Sequence, residues 1–193
     1  AFERHIHLVA DLDQTVLDLL LTIRREEFVP EKYRTLAFAD MEIPLGHGEV
    51  MLSPKTEARL VQSLALKNTD SVLEIGTGSG YMTALLAGIC RHVYSVDIVP
   101  GFTRTAATHL AAAGIRNVTL DSGDAARGWD KHGPYDAIVL TGSVPVLPEC
   151  FQQSLNPGGR LIAVVGEAPA MQTQLVTRGQ GGACCAVTLF ETC

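Results

Sequence analysis

Along this chain, segments with an apolar residue every third or fourth position alternate with short continuous apolar runs. These are the patterns of amphipathic helix and buried strand. Leu12, Val16, Leu17, Leu19, Leu20 and Ile23 fall at helical spacing, and so do Ala58, Leu60, Val61, Leu64 and Ala65. Between these two segments Phe28-Val29-Pro30 breaks the helix, and residues 36–54 read as a long irregular stretch containing Pro44, Gly46, Gly48 and Pro54. A connection that long inside a compact domain is usually functional. From residue 72 the rhythm changes. The pattern predicts strands over 72–75, 93–97, 117–120, 136–141 and 160–165, and helices over 81–89, 102–113 and 147–155. Residues 171–177 and 186–192 flank a glycine-rich turn as a hairpin.

Repeated strand–helix units closed by a hairpin predict an α/β fold: a doubly wound, mostly parallel seven-stranded sheet with helices on both faces and one antiparallel strand. No repeat or linker interrupts the pattern. Residues 1–193 are therefore expected to form a single domain, with 1–66 as an N-terminal helical and loop extension.

Composition changes this picture little, but it narrows the partners. Apolar residues make up 47% and charged residues 19%, ordinary for a soluble α/β protein. The net charge of −6, without any Lys/Arg cluster, argues against nucleic acid as the main partner. No apolar run approaches the ~20 residues of a membrane span, and no signal-peptide pattern opens the chain. The five cysteines are odd in number and lack metal-ligand spacing with histidine, so no metal site is expected. Cys90 and Cys150 read as inert core thiols, the adjacent Cys184 and Cys185 as strand residues, and a cytoplasmic location with reduced thiols is expected.

The chemistry concentrates after the first of these strands. Glu74-Ile75-Gly76-Thr77-Gly78-Ser79-Gly80-Tyr81 places three glycines at alternate positions between a strand and a helix start. Such a turn offers backbone N–H groups and a positive helix end to a ligand. A dinucleotide fold wants G-x-G-x-x-G, but here the third glycine position is Tyr81. The E-x-G-x-G-x-G form instead resembles motif I of the class I S-adenosylmethionine (AdoMet) methyltransferases. Asp97, 17 residues past Gly80 at a strand end, suits the ribose hydroxyls, or else caps the following helix. Asp124 suits an adenine amino group, or else caps a turn. Glu74 can hold loop amides or the cofactor ammonium. The expected cofactor residues are Glu74, Gly76, Thr77, Gly78, Ser79, Gly80, Asp97, Ile98, Gly123, Asp124 and Ala125.

Beyond motif I, residues 24–192 resemble the protein-L-isoaspartate O-methyltransferases. The likeness rests on Phe28-Val29-Pro30, Ile43-Pro44-Leu45-Gly46-His47-Gly48, the glycine loop through Tyr81, Gly123-Asp124, Pro134-Tyr135-Asp136-Ala137-Ile138 and Leu155-Asn156-Pro157-Gly158-Gly159-Arg160-Leu161. The resemblance implies a Rossmann-like methyltransferase fold. It also implies AdoMet as methyl donor, with S-adenosylhomocysteine as product, and proteins or peptides carrying isoaspartyl residues as acceptors. It places the acceptor beside the 44–53 loop, where His47, Glu49, Leu52 and Ser53 are the expected catalytic positions. Family members usually continue this loop with Gln-Thr-Ile-Ser, whereas Glu49, Val50, Met51 and Leu52 stand here, with Ser53 one position later. Two alternatives follow: a paralogue with a different acceptor, or a non-catalytic AdoMet-binding module. A dinucleotide oxidoreductase stands further off. The sequence does not specify an oligomeric state.

Overall fold

The computed structural model describes residues 12–192. The start of the expected N-terminal extension, residues 1–11, and Cys193 lie outside the described residues. Helix α1 (Gln14–Thr22) leads through two short 3₁₀ turns, Arg25–Glu27 and Glu31–Leu36, into a small antiparallel pair, β1 (Ile43–Gly46) with β2 (Glu49–Met51). Helix α2 (Pro54–Leu64) follows. Next come β3 (Ser71–Ile75), α3 (Tyr81–Ala87), β4 (His92–Asp97), α4 (Pro100–Ala112), β5 (Val118–Ser122), β6 (Tyr135–Val144), α5 (Glu149–Gln153), β7 (Leu155–Glu167), β8 (Ala170–Arg178) and β9 (Cys184–Thr192).

Seven strands form one sheet in the order β5-β4-β3-β6-β7-β8-β9. Pairing is parallel from β5 to β7, and β8 runs antiparallel to both of its neighbours, as expected from the terminal hairpin. Because side chains alternate across a strand, neighbours in sequence face opposite layers. Val72, Val139 and Ile162 enter the layer packed by α1 to α4, whereas Leu73, Ile138 and Leu161 enter the other. That second layer is thin. Its only described helix is the five-residue α5, contributing Phe151, and Trp129 and Tyr135 fill the rest.

Three sequence expectations shift. The 36–54 stretch is less irregular than its prolines and glycines suggest, since β1 and β2 pair across the Gly46-His47-Gly48 turn. Helix formation after residue 147 covers only Glu149–Gln153, because Leu155 already pairs with Tyr135. Strand β6 continues past Thr141 to Val144, across an irregularity in its pairing with β7.

One charged residue organises the N-terminal half. Arg25 is 1% exposed, and its guanidinium donates to Ala37 O at 2.7 Å, to Leu52 O at 2.7 Å and to the buried carboxylate of Glu57. Its Cζ also lies 4.9 Å from the ring centre of Tyr81, the first residue of α3. Burial pulls its pKa down to about 10, so it stays charged at neutral pH. Removing one partner of a buried pair strands the other, which costs about 3–5 kcal/mol. Arg25→Met is expected to lose stability on that scale in urea unfolding. Arg25→Met with Glu57→Leu should recover part of the loss, since the carboxylate is gone while two carbonyls remain orphaned. Equal stability of wild type and Arg25→Met would show that the clamp is dispensable.

Candidate functional site

The strand order reverses between β3 and β6, and in doubly wound sheets a crevice opens at the carboxyl ends of the strands there. A cleft of about 580 Å³ lies at this point. One side is built from strand-end residues: Ile75, Gly76 and Gly78 after β3, Asp97 and Ile98 after β4, and Gly123 to Ala126 after β5. The opposite wall comes from the 42–56 segment through Glu42, Leu45, Glu49, Val50, Leu52 and Thr56. The carboxyl end of β6 (Thr141 to Val144) and Val164, Met171 and Thr192 of the last three strands close the remaining side.

The glycine loop is pinned from both ends. Gly76 sits at φ +98°, and a Cβ there would fall 2.3 Å from Thr141 Oγ1. That hydroxyl lies 2.9 Å from Ile75 O and 2.8 Å from Gly76 O, so its single proton is committed to the loop. Gly78 N donates to Asp97 Oδ2 at 2.9 Å, and Val99 N donates to Asp97 Oδ1 at 2.8 Å. Asp97 is 7% exposed yet lines the cleft. Each of its oxygens keeps a lone pair after its backbone bond, which two vicinal hydroxyls can use. At Gly80, where α3 begins, an added Cβ would lie 2.9 Å from that of Ala106, so α3 and α4 touch closely there.

Beneath the loop, Glu74 is fully buried. Oε2 accepts from Thr83 Oγ1 at 2.5 Å, and Oε1 has no hydrogen-bond partner. Burial pushes its pKa up to about 8, against the hydroxyls of Ser95 and Thr83, and the nearby Asp97 charge adds to the rise. Thr77 and Ser95 share a 2.6 Å hydrogen bond beside it. On the same side of the cleft, after β5, Asp124 is exposed and Oδ1 accepts from Ala126 N at 2.9 Å, the turn-capping geometry. Trp129 packs against Gly123 and so supports this turn from below.

The expected site residues are thus sorted. Gly76, Gly78, Asp97, Ile98, Gly123, Asp124 and Ala125 line the cleft together. Glu74, Thr77, Ser79 and Gly80 do not line it: they lie behind the loop and set its shape, Ser79 O being 3.0 Å from His109 Nδ1. Of the acceptor-side residues, Glu49 and Leu52 line the cleft. His47 does not. It occupies the β1–β2 turn at φ +55°, exposed, with its ring centre 5.7 Å from that of Phe102. It forms no ion pair with Glu49. Ser53 caps α2, its Oγ accepting from Thr56 N at 3.4 Å, ahead of Pro54 in the first turn. Sequence reasoning missed Glu42, Phe102, Thr56, Met171 and Thr192, which the fold alone brings to the cleft. Among the described residues, no helix is long and apolar enough to cross a membrane.

With this geometry in place, the chain can be set against known proteins. Residues 4–191 match the family model for protein-L-isoaspartate(D-aspartate) O-methyltransferase. A protein-L-isoaspartate O-methyltransferase of Myxococcus xanthus is 42% identical over 168 residues, covering 87% of this chain and 78% of the relative. A Plasmodium falciparum structure described as a protein-L-isoaspartate O-methyltransferase in complex with S-adenosyl-L-homocysteine superposes with a TM-score of 0.84 at 21% identity. The match covers 100% of this chain and 94% of that one. Another solved protein-L-isoaspartate O-methyltransferase gives 0.86 at 24% identity, covering 100% and 64%. Both show the same fold.

Glu74 yields a sign-definite test. The folded protein keeps the Glu74 proton up to about pH 8, whereas an unfolded chain releases it near 4.5. Between those values the folded state binds the extra proton, so stability falls as pH rises, by at most about 1.4 kcal/mol per pH unit. Glu74→Gln removes that slope. Its stability relative to wild type is expected to improve steadily across this window in urea melts. Parallel stability curves would mean that Glu74 ionises as freely folded as unfolded.

Proposed function

The chain belongs to the protein-L-isoaspartate(D-aspartate) O-methyltransferase family, and we propose that it transfers a methyl group from AdoMet to the free α-carboxylate of isoaspartyl residues in damaged proteins or peptides. The observation that carries this reading is that one cleft joins the glycine loop, Asp97 and the Gly123–Ala125 turn to the 42–56 wall, so donor and acceptor sites share one cavity. Residues 1–193 then act as one methyltransferase domain, with 1–66 forming the extension over the acceptor.

The residues present fit the cofactor. The loop around Gly76 and Gly78 would face its amino-acid part, Asp97 its ribose, Ile98 the face of its base, and Asp124 and Ala125 the edge of that base. When bound, AdoMet supplies an electrophilic sulfonium methyl that a carboxylate oxygen can take with no proton transfer. The chain therefore needs no general base at the acceptor. Its work is to hold the acceptor oxygen in line and exclude water. Arg25 fixes the wall at Leu52, Thr141 and Asp97 fix the loop facing it, and Leu45, Val50 and Leu52 displace solvent between them. The exposed carboxylate of Glu49, with Val50 and Leu52 beside it, favours a second reading: the same transfer to an uncharged acceptor.

The deciding assay compares an isoaspartyl peptide with its normal aspartyl twin at equal AdoMet, scoring base-labile methyl ester. Selective methylation of the isoaspartyl form is expected. AdoMet binding without turnover on that peptide would overturn the carboxyl reading and leave the uncharged acceptor.

A further inference from the structure

We propose that Thr56 is the residue that hydrogen-bonds the acceptor carboxylate, with Ser53 orienting its hydroxyl. This rests on the carboxyl-acceptor reading and assigns its missing donor.

A carboxylate entering the cleft meets the acids Glu42 and Glu49 and the apolar side chains of Val50 and Leu52 on the wall of the 42–56 segment. Taken out of water without a donor, it would bind poorly. Among the described residues, four that carry a side-chain hydroxyl line the cleft: Thr56, Thr141, Ser143 and Thr192. The Thr141 proton is committed to the carbonyls of Ile75 and Gly76. Ser143 and Thr192 have no side-chain hydrogen bond among the described residues, so nothing there fixes the direction of either hydroxyl.

Thr56 is different. Ser53 Oγ accepts from Thr56 N at 3.4 Å and lies 3.2 Å from Thr56 Oγ1. With one Ser53 lone pair on that amide, the Ser53 proton is available to Thr56 Oγ1, and the Thr56 proton is then free for the cleft. The 3.2 Å spacing is longer than the ~2.7–2.8 Å mode for O–H···O, so the rotor is only lightly held. An anion in the cleft selects the arrangement that donates to it, because a charge-assisted bond is the stronger one.

Position is fixed more firmly than the proton. Arg25 grips Leu52 O, one residue before Ser53, and the Glu57 carboxylate, one residue after Thr56. One buried guanidinium therefore clamps both ends of the turn that carries the two hydroxyls, which is the preorganisation an orienting donor needs.

The acceptor carboxylate loses charge as the methyl arrives, so a hydrogen bond to it favours the bound ground state at least as much as the transition state. The effect belongs in KM. Thr56→Val, which keeps the shape and deletes the hydroxyl, is expected to raise KM for an isoaspartyl peptide roughly 10- to 100-fold, as loss of a bond to a charged group implies. Its kcat and AdoMet affinity should stay near wild type. Thr56→Ala should behave alike, and Thr56→Ser should restore KM. A Thr56→Val enzyme with wild-type KM, or a defect in Thr56→Ala that Thr56→Val lacks, would overturn the assignment and leave the carboxyl reading standing. A wild type that binds AdoMet but ignores the isoaspartyl peptide would overturn both.

Discussion

A single buried guanidinium sets the spacing on which the cleft depends. Arg25 is drawn into the interior by a carboxylate, two carbonyls and an aromatic face, and these partners come from four separate places in the chain: Ala37, Leu52, Glu57 and Tyr81. Hydrophobic residues of similar volume could fill such a space at equal or lower cost. They could not reproduce the directionality, because five N–H donors in a rigid plane accept only one arrangement of oxygens around them. The network therefore trades stability for registration. It holds the acceptor wall, through Leu52 and Glu57, at a set distance from the start of α3, where the glycine loop ends.

Two acids on the other side of the cleft divide their roles by environment. Glu74 and Asp97 lie on adjacent strands behind and beside the same loop. Glu74 accepts from Thr83 Oγ1 on Oε2 while Oε1 has no hydrogen-bond partner, and burial with the neighbouring negative charge keeps it protonated. The two oxygens of Asp97 instead accept from the backbone N–H groups of Gly78 and Val99. Glu74 shapes the loop from within, while Asp97 ties Gly78 down and still faces the cleft.

Much of this was legible in sequence because it follows from local rules. The glycine spacing, the strand-end Asp97 and the βα alternation each depend on residues close together in the chain. What escaped depends on distance. Arg25 sits in Arg24-Arg25-Glu26-Glu27, which reads as a solvated charge run, and only the fold brings Glu57 to it. The β1–β2 pair was hidden because Pro44, Gly46 and Gly48 read as loop residues, while their strands are only four and three residues long. Ser53 looked like a displaced acceptor hydroxyl. Ser-Pro is equally the signature of a helix start, and the backbone of Thr56 claims the side chain. Thr56 itself carries no signal, since its reach into the cleft is set by the pitch of α2.

The apolar wall fits the chemistry better than the loss of polar groups suggests. A carboxylate reacting with a sulfonium consumes one negative and one positive charge, so the transition state is less polar than the reactants. Water stabilises the separated charges more than their partly neutralised union, and a surround that excludes it lowers the barrier. Leu45, Val50, Leu52, Val164 and Met171 provide that surround. Many donors along the wall would hold the carboxylate in its charged ground state and work against the transfer. A single orienting hydroxyl beside the apolar side chains of this wall supplies direction with little of that penalty, and Arg25 keeps the turn beneath it from drifting.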